Sequence, residues 1–351
     1  MTIDRRTVLQ GLTAMGAAGA LARTGALAQT APTPVVATFG PAGSIYAPNM
    51  VADVMGFAKE EGIDLKLQIP DGGAKARQIL AAGEAQFGHG DTTHPLQISN
   101  RGRPARILMA SETVCSYANI VVRKDLFDQG IDTVEKLGRW KRADGAKPIV
   151  AATAIGSGTW MYGSFIFERL GVGDNINWVA GGSTSTMLGG LKSKQFDAIM
   201  ALPNWIYDAE SHGWGKTIYN VLDKATWDKA FGGPMPTTVV YAQLSTIREK
   251  PEMVQAYMNA IYKSMQWLKT NSVDAILAKI GPKYLGDLNP ESAKLEMGYY
   301  KAAWHYAGTI SEAEYKTAAP VFFRDGTDIQ PVAFADAVDA RFLENARKKF
   351  G

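Results

Sequence analysis

The feature that most constrains the fold of this chain is an internal repeat with a fixed spacing. Three pairs of landmarks lie 109 positions apart without any gap: Gly62 and Gly171, Gly72-Gly73 and Gly181-Gly182, and Gln86-Phe87 and Gln195-Phe196. In each copy a helical stretch, Met50–Glu61 in one and Trp160–Leu170 in the other, ends at the first glycine, as is common for a glycine that follows a helix. A strand, the Gly-Gly turn, a second helix and another strand follow. Each copy therefore predicts a β-α-β-α-β unit, and the repeat predicts an α/β fold. The alternative is that these glycines recur only because α/β proteins place glycines at helix ends, and it predicts an α/β fold as well.

The two copies define the predicted domains. The first copy begins at the strand Val35–Phe39 and the second at Pro148–Thr153. We expect two lobes, each a sheet flanked by helices, divided as follows: residues 34–123 (lobe one, first part), 124–236 (lobe two) and 237–351 (lobe one, second part, mainly helical). The strand-like segments Ala118–Arg123 and Thr237–Ala242 are predicted to be the two connecting hinge strands.

The region after the second connecting strand has a helical pattern. Pro251 is suited to the first position of a helix, and apolar residues follow it at helical spacing: Val254, Tyr257, Met258, Ile261, Met265 and Leu268. Further helices are predicted at Val273–Ile280, Pro290–Tyr306, Glu312–Ala318 and Phe334–Lys348. We expect these helices to pack on lobe one, so that lobe two is inserted into lobe one and the chain crosses between the lobes twice.

The first 28 residues have the three parts of an export signal. Arg5 and Arg6 form a basic start, an apolar stretch runs from Gly11 to Ala22, and Ala26-Leu27-Ala28 fits a cleavage site. Paired arginines followed by Val8-Leu9 favour a twin-arginine signal, a route for proteins that are already folded. The alternative is a first helix of the mature fold. We expect a chain beginning at Gln29, released into the periplasm as a soluble protein.

Composition excludes several classes of partner and site. Without the leader, 34 basic and 33 acidic residues remain, which gives no reason to expect a nucleic-acid partner. The single cysteine, Cys115, rules out an intramolecular disulfide and a cysteine-based metal site. No later apolar run is long enough to span a bilayer.

The order of several short motifs along the chain resembles that of a known family. These motifs are Phe39-Gly40-Pro41, Gly72-Gly73, Gly83-Glu84-Ala85-Gln86-Phe87-Gly88, Gly156-Ser157-Gly158-Thr159, Lys194-Gln195-Phe196-Asp197-Ala198, Pro203 and Lys250-Pro251-Glu252. The chain resembles periplasmic solute-binding proteins of ABC importers, in the nitrate, sulfonate, taurine and thiamine-precursor group with the type II fold. The resemblance implies hinged lobes that close on one small ligand, and delivery to a membrane permease with a separate ATPase subunit. It implies no cofactor, and we expect a monomer.

Loops at the carboxyl ends of the strands are the predicted ligand contacts, because helix N-termini point unpaired N–H groups into the crevice of open α/β sheets. Five loops have this position: Pro41–Tyr46, Asp71–Gly73, His89–Thr93, Gly156–Trp160 and Gly181–Thr186. The clearest is Gly156–Trp160, where glycines allow close approach and the helix start favours an anion. The alternative role of Ser157 or Thr159 there is to cap the helix.

The predicted site combines hydroxyl, aromatic and hydrogen-bonding residues from these loops and from the Pro203 turn: Ser44, Tyr46, His89, Asp91, Thr92, Ser157, Gly158, Thr159, Trp160, Asn204 and Trp205. Aromatic faces provide rigid contact area for a small ligand. A metal held by His89, Asp91 and His94 is disfavoured, because positions i and i+5 do not share a helical face and no third ligand is visible. The arginines Arg101, Arg103 and Arg106 favour a solvated or permease-docking face over an anion clamp.

Four functions are considered from the sequence. The first is capture of a small organic anion, such as a sulfonate or an aromatic carboxylate, for uptake. The second is binding of a heteroaromatic thiamine precursor. The third is presentation of a bound ligand to a membrane receptor. The fourth, a pyrimidine synthase of the same fold family, is disfavoured because it uses iron and a cysteine-rich run, whereas this chain has one cysteine. No catalytic residue is predicted, since the elbow, Walker and dinucleotide motifs are absent.

Overall fold

The computed structural model describes residues 31–351, and the predicted export signal lies outside this range. Ten strands are formed in it: β1 Thr33–Thr38, β2 Ile63–Gln68, β3 Phe87–Asp91, β4 Ala105–Glu112, β5 Asn119–Arg123, β6 Ile149–Ala152, β7 Asn177–Ala180, β8 Ala198–Ala201, β9 Gly215–Tyr219 and β10 Thr238–Gln243. They form two five-stranded sheets, with the orders β2-β1-β3-β10-β4 and β7-β6-β8-β5-β9.

The α-helices of the same range cover both sheets. They are α1 Ala47–Val54, α2 Phe57–Glu60, α3 Gly73–Ala82, α4 Thr93–Asn100, α5 Lys124–Asp128, α6 Val134–Arg139, α7 Gly158–Arg169, α8 Thr184–Lys192, α9 Pro203–Ser211, α10 Lys224–Phe231, α11 Leu244–Glu249, α12 Pro251–Thr270, α13 Val273–Ile280, α14 Pro290–Ala303, α15 Glu312–Phe322, α16 Phe334–Ala337 and α17 Arg341–Phe350. No helix among residues 31–351 combines the length and the apolar character needed to cross a membrane.

The two sheets have the same topology, which confirms the repeat. In each sheet three strands are parallel, and the next strand, β10 or β5, is antiparallel to both of its neighbours. The strands β1, β2 and β3 correspond in order and direction to β6, β7 and β8. Gly62 and Gly171 have φ values of +77° and +72°, as expected of glycines that end helical segments.

The two predicted connecting strands lie inside the sheets, which corrects their assignment as hinges. The strand β5 pairs with β8 and β9 in the second sheet, and β10 pairs with β3 and β4 in the first. The chain instead crosses between the sheets at residues 113–118 and 220–237. Both apolar strands are buried almost throughout. A central strand that is buried on both faces has the same sequence pattern as any other short apolar run, so the sequence could not distinguish it from a connecting strand.

Most of the C-terminal helices pack on lobe one, and two helices of this region, α14 and α15, contact lobe two. The six apolar residues predicted on one face of α12 are all fully buried. The helix α12 contacts α1 and α2, and α17 contacts α12 and β4. The helix α14 contacts α9, and α15 contacts α7, so the C-terminal region is in contact with both lobes. Arg324, which follows α15, donates hydrogen bonds to Glu168, Ser164 and the carbonyl of Met161 on α7.

Several predicted helices have different bounds in the structure, and one of them, Glu312–Ala318, continues to Phe322 as α15. The predicted helix Met50–Glu61 is divided into α1 and α2 at Gly56, whose φ is +76°. The last predicted helix, Phe334–Lys348, is likewise divided into α16 and α17, and α14 ends three residues before the predicted Tyr306. The predicted boundaries of Val273–Ile280 are those of α13.

Candidate ligand-binding site

A cavity lies between the two sheets, at the carboxyl ends of their parallel strands. Its volume is about 630 Å³, including space open to solvent. Both lobes line it, through Gly40, Pro41, Ile45, Tyr46, Asp71, Gly72, Gly73, Ala74, Asp91, His94 and Tyr117 on one side and Thr153, Ser157, Gly158, Thr159, Gly182, Thr184, Leu202 and Trp205 on the other. Helices α3, α7 and α8 start at this cavity. This is the position in which open α/β sheets bind ligands.

The loop before α7 is held by hydroxyl groups that hydrogen-bond to one another. The oxygen of Thr159 lies 2.8 Å from that of Thr153 and 2.9 Å from that of Ser157, and Ser157 donates to the carbonyl of Ala154 at 2.6 Å. Ser157 occupies the N-cap position, but its side chain makes no capping bond to α7. The hydroxyls therefore fix the shape of the loop, and the N-terminal amides of α7 are not satisfied by this side chain.

Asp91 is the carboxylate that faces this helix start from the other lobe. It accepts hydrogen bonds from the Thr93 amide, at 2.7 Å, and from the Tyr117 hydroxyl. A Cβ atom on Gly158 would lie 2.2 Å from the Asp91 Oδ2, so a side chain there would displace either the Asp91 carboxylate or the two lobes. Burial raises the pKa of Asp91, while the bonds from Thr93 and Tyr117 and the charge of Arg77 oppose that shift.

Two histidines near the cavity are neutral at physiological pH. His94 lines the cavity, and its Nδ1 lies 3.1 Å from the Tyr241 hydroxyl. His89 lies behind the lining, with its ring nitrogens 2.7 Å from Asn49 and 2.7 Å from Ser111. Burial lowers the pKa of both histidines to about 3. Neither imidazole therefore supplies positive charge to the site.

Six of the predicted site residues line the cavity: Tyr46, Asp91, Ser157, Gly158, Thr159 and Trp205. Trp205 is 1% exposed, so its ring is also part of the core. The ring of Tyr46 stacks on Phe39 at a centroid distance of 4.7 Å, and its hydroxyl donates to the carbonyl of Gly40. The cavity thus has an aromatic wall in each lobe.

The structure places the other five predicted residues outside the lining: Ser44, His89, Thr92, Trp160 and Asn204. The first three are occupied by protein partners, since Ser44 donates to Glu296, His89 contacts Asn49 and Ser111, and Thr92 donates to the carbonyl of Pro236. Trp160 packs beside the guanidinium of Arg324, with 5.9 Å between the Cζ atom and the ring centroid. Asn204 is buried at the contact with α14, where its carbonyl accepts from Ser292.

Sequence reasoning missed three polar residues of the lining, His94, Tyr117 and Thr153. His94 directly follows the predicted loop His89–Thr93, but its spacing from His89 does not indicate a ligand contact. Tyr117 lies in the first crossing segment, and Thr153 directly follows β6. The position after a strand end could have indicated Thr153, whereas Tyr117 required knowledge of where the chain crosses.

The sequence matches the profile of the NMT1-like family over residues 31–281. The chain belongs to the NMT1-like family. Its fold is similar to that of a Bordetella bronchiseptica RB50 protein, at 24% identity and a TM-score of 0.76, covering 92% of this chain and 98% of the other. It is also similar to the ligand-binding component of an ABC-type import system from Staphylococcus aureus with zinc bound, at 11% identity and a TM-score of 0.67, covering 90% and 99%.

The same fold occurs in an enzyme. The desulfurization enzyme DszB is 14% identical to this chain, with a TM-score of 0.61 and coverage of 91% and 100%.

These comparisons confirm the two-lobed type II periplasmic-binding fold predicted from the sequence, and the resemblance to solute-binding proteins. Within residues 31–351 no cluster of three or more His, Cys, Asp or Glu side chains is arranged to hold a metal ion.

Proposed function

We propose that this protein is the substrate-binding component of an ABC importer and captures a small organic molecule in the cavity between its lobes. The observation that carries the proposal is that residues from both lobes line one cavity at the carboxyl ends of two equivalent sheets. A ligand held there contacts both lobes, so its binding free energy favours their closed arrangement. Membership of the NMT1-like family and the fold shared with an importer component support the same function.

The predicted export signal gives the proposal its location. A soluble protein released into the periplasm would collect its ligand there and deliver it to a permease with a separate ATPase subunit. Presentation of the ligand to a membrane receptor is the second function with the same geometry. Loss of ligand uptake in a strain that lacks this protein would favour the importer, and loss of a transcriptional response with normal uptake would favour the receptor.

The chemistry of the single cysteine supports binding over thiol-based catalysis. Cys115 is fully buried, and it is not among the residues that line the cavity. Burial raises the pKa of its thiol well above the ordinary value, so the nucleophilic thiolate is disfavoured at neutral pH. An enzyme with this fold that acts through cysteine would need its thiol in the cleft.

The proposal can be tested by filling the cavity. Thr184 lines the cavity, and its neighbour Ser185 is exposed and does not. The protein spanning residues 29–351 would be incubated with a small-metabolite extract, washed and analysed for retained compounds by mass spectrometry. We expect one compound class to be retained by the wild type and by Ser185→Trp, and to be lost in Thr184→Trp. Equal retention by all three proteins would place binding outside this cavity and contradict the proposal.

A further inference from the structure

The charged groups that line the cavity are of one sign. Among the described residues, Asp71 and Asp91 are the carboxylates of the lining, His94 is its one imidazole, and neither lysine nor arginine contributes to it. His94 contacts the Tyr241 hydroxyl and is neutral, as described above. The side chains around a bound ligand therefore carry no positive charge to pair with an anion.

The positive end of α7 already faces a carboxylate of the protein itself. Asp91 reaches from lobe one to Gly158, the first residue of α7, and approaches it so closely that no Cβ atom would fit between them. From its sequence, this helix start is predicted to hold the polar or anionic end of a ligand. In the structure, Asp91 occupies that role, because a helix N-terminus favours any nearby negative charge.

The cation whose charge lowers the pKa of Asp91, Arg77, is not available to the ligand. The charge of Arg77 acts on Asp91 from outside the lining. Its guanidinium donates to Gln97, and it lines a separate cavity together with Arg101 and Arg103. A carboxylate or sulfonate in the central cavity would therefore lie against Asp91 without a cationic partner of its own.

We propose that the ligand is a nitrogen compound, cationic or neutral, that donates an N–H group to Asp91, and that it is not an organic anion. This inference rests on the proposed function. Asp91 has acceptor capacity left, because each oxygen of a carboxylate offers more lone pairs than the single bonds from Thr93 and Tyr117 occupy. The aromatic walls at Tyr46 and Trp205 suit the apolar body of such a ligand.

A charge-matched panel tests this proposal on the wild-type protein. Several small scaffolds, among them benzyl, pyridyl, indolyl and propyl groups, would each be presented as the amine, the carboxamide, the carboxylate and the sulfonate. Thermal-shift measurements would rank the compounds, and calorimetry would give affinities for those that stabilise the protein. We expect amines or carboxamides to bind, and the matched carboxylates and sulfonates to bind at least about tenfold more weakly.

Two variants then assign the preference to one carboxylate. Asp91→Asn removes the charge with little change of shape, and we expect it to weaken amine binding by about tenfold or more. Asp64→Asn removes an exposed charge on β2 of the same lobe and should leave the affinity unchanged. If Asp91→Asn fails to fold, as shown by the loss of its thermal transition, the ranking of the panel on the wild type still decides.

The possible results separate this inference from the function on which it rests. Tight binding of carboxylates or sulfonates, undiminished or improved in Asp91→Asn, would overturn the inference and leave the importer proposal standing. Retention of no compound from either the extract or the panel would contradict the proposed function, and the inference would fall with it.

Discussion

At the scale of single residues, two buried glutamates make the stability of this protein depend on pH. Glu112 accepts hydrogen bonds from Ser116 and Thr238, and Glu296 accepts from the amide and hydroxyl of Ser44. Burial raises the pKa of Glu112 to about 8 and that of Glu296 to about 7. Since the unfolded chain binds fewer protons at these positions, the free energy of unfolding falls as the pH rises toward these values.

In the window from pH 6.5 to 8 the effect of the glutamates dominates, because the opposing effect of the histidines fades as the pH rises above their unfolded pKa of about 6.5. Below it, the lowered pKa values of His89 and His94 act in the opposite direction, because the folded state binds fewer protons there than the unfolded state. We expect the free energy of unfolding to decrease across the window, by at most about 1.4 kcal/mol per pH unit for each glutamate. Denaturant titrations at several pH values would measure the decrease.

The variant Glu112→Gln provides the control for this prediction. Its amide keeps the shape of the carboxyl group and cannot ionise, so the decrease between pH 6.5 and 8 should become smaller. Glu312→Gln, which changes an exposed glutamate paired with Lys316, should retain the wild-type pH dependence. An equal slope in the wild type and Glu112→Gln would show that Glu112 does not ionise in this range.

Trp205 has two roles in the structure, and its truncation should affect both. The sequence predicts that Trp205→Ala weakens ligand binding and leaves folding nearly intact. With 1% exposure, however, the side chain is also core, and its removal should lower the free energy of unfolding by about 3 to 5 kcal/mol. Calorimetry with a retained ligand and thermal unfolding without it would separate the two effects. Unchanged ligand affinity would remove Trp205 from the binding contacts.

At the scale of elements, the start of α7 is a point of close approach between the two lobes. The Gly158→Ala variant would place a Cβ atom 2.2 Å from the Asp91 carboxylate. Because Thr93 and Tyr117 hold that carboxylate in place, we expect the lobes to separate rather than Asp91 to move. We expect a larger radius of gyration in small-angle scattering and a ligand affinity reduced by about tenfold or more. The matched control is Gly189→Ala on α8, where a Cβ atom meets nothing within 4 Å. Wild-type behaviour of Gly158→Ala would mean that Asp91 moves aside without cost.

Elements were predicted well where a local pattern determines them, and less well where tertiary pairing does. The spacing of apolar residues on α12 depends on that helix alone, and every predicted core position there is buried. The membership of β5 and β10 in their sheets depends on partners distant in sequence, which an apolar run does not specify. The contact between Asp91 and Gly158 depends in turn on how the lobes are placed, so the sequence could propose both residues but not their opposition.

At the scale of the whole molecule, the export signal remains a prediction, since residues 1–28 lie outside the described part of the chain. Replacing Arg5 and Arg6 by lysine should block export through the twin-arginine route, because that route reads the paired arginines. Cell fractionation of a strain that expresses the double variant would measure this. We expect the mature form, beginning at Gln29, to be missing from the periplasm. Normal amounts of it there would show that another export route is used.

The position of β10 also determines the order in which the molecule can be completed during synthesis. All five strands of the second sheet lie within residues 119–219, so that sheet can form while the ribosome is still translating the remainder. The first sheet begins earlier in the chain, but it lacks β10, the strand between β3 and β4, until residue 243 has emerged. Until then β3 and β4 each have an open edge, of the kind that pairs with other chains. The lobe whose sequence starts first is therefore the one that finishes last, and its exposed strand edges are what a chaperone would have to cover in the interval.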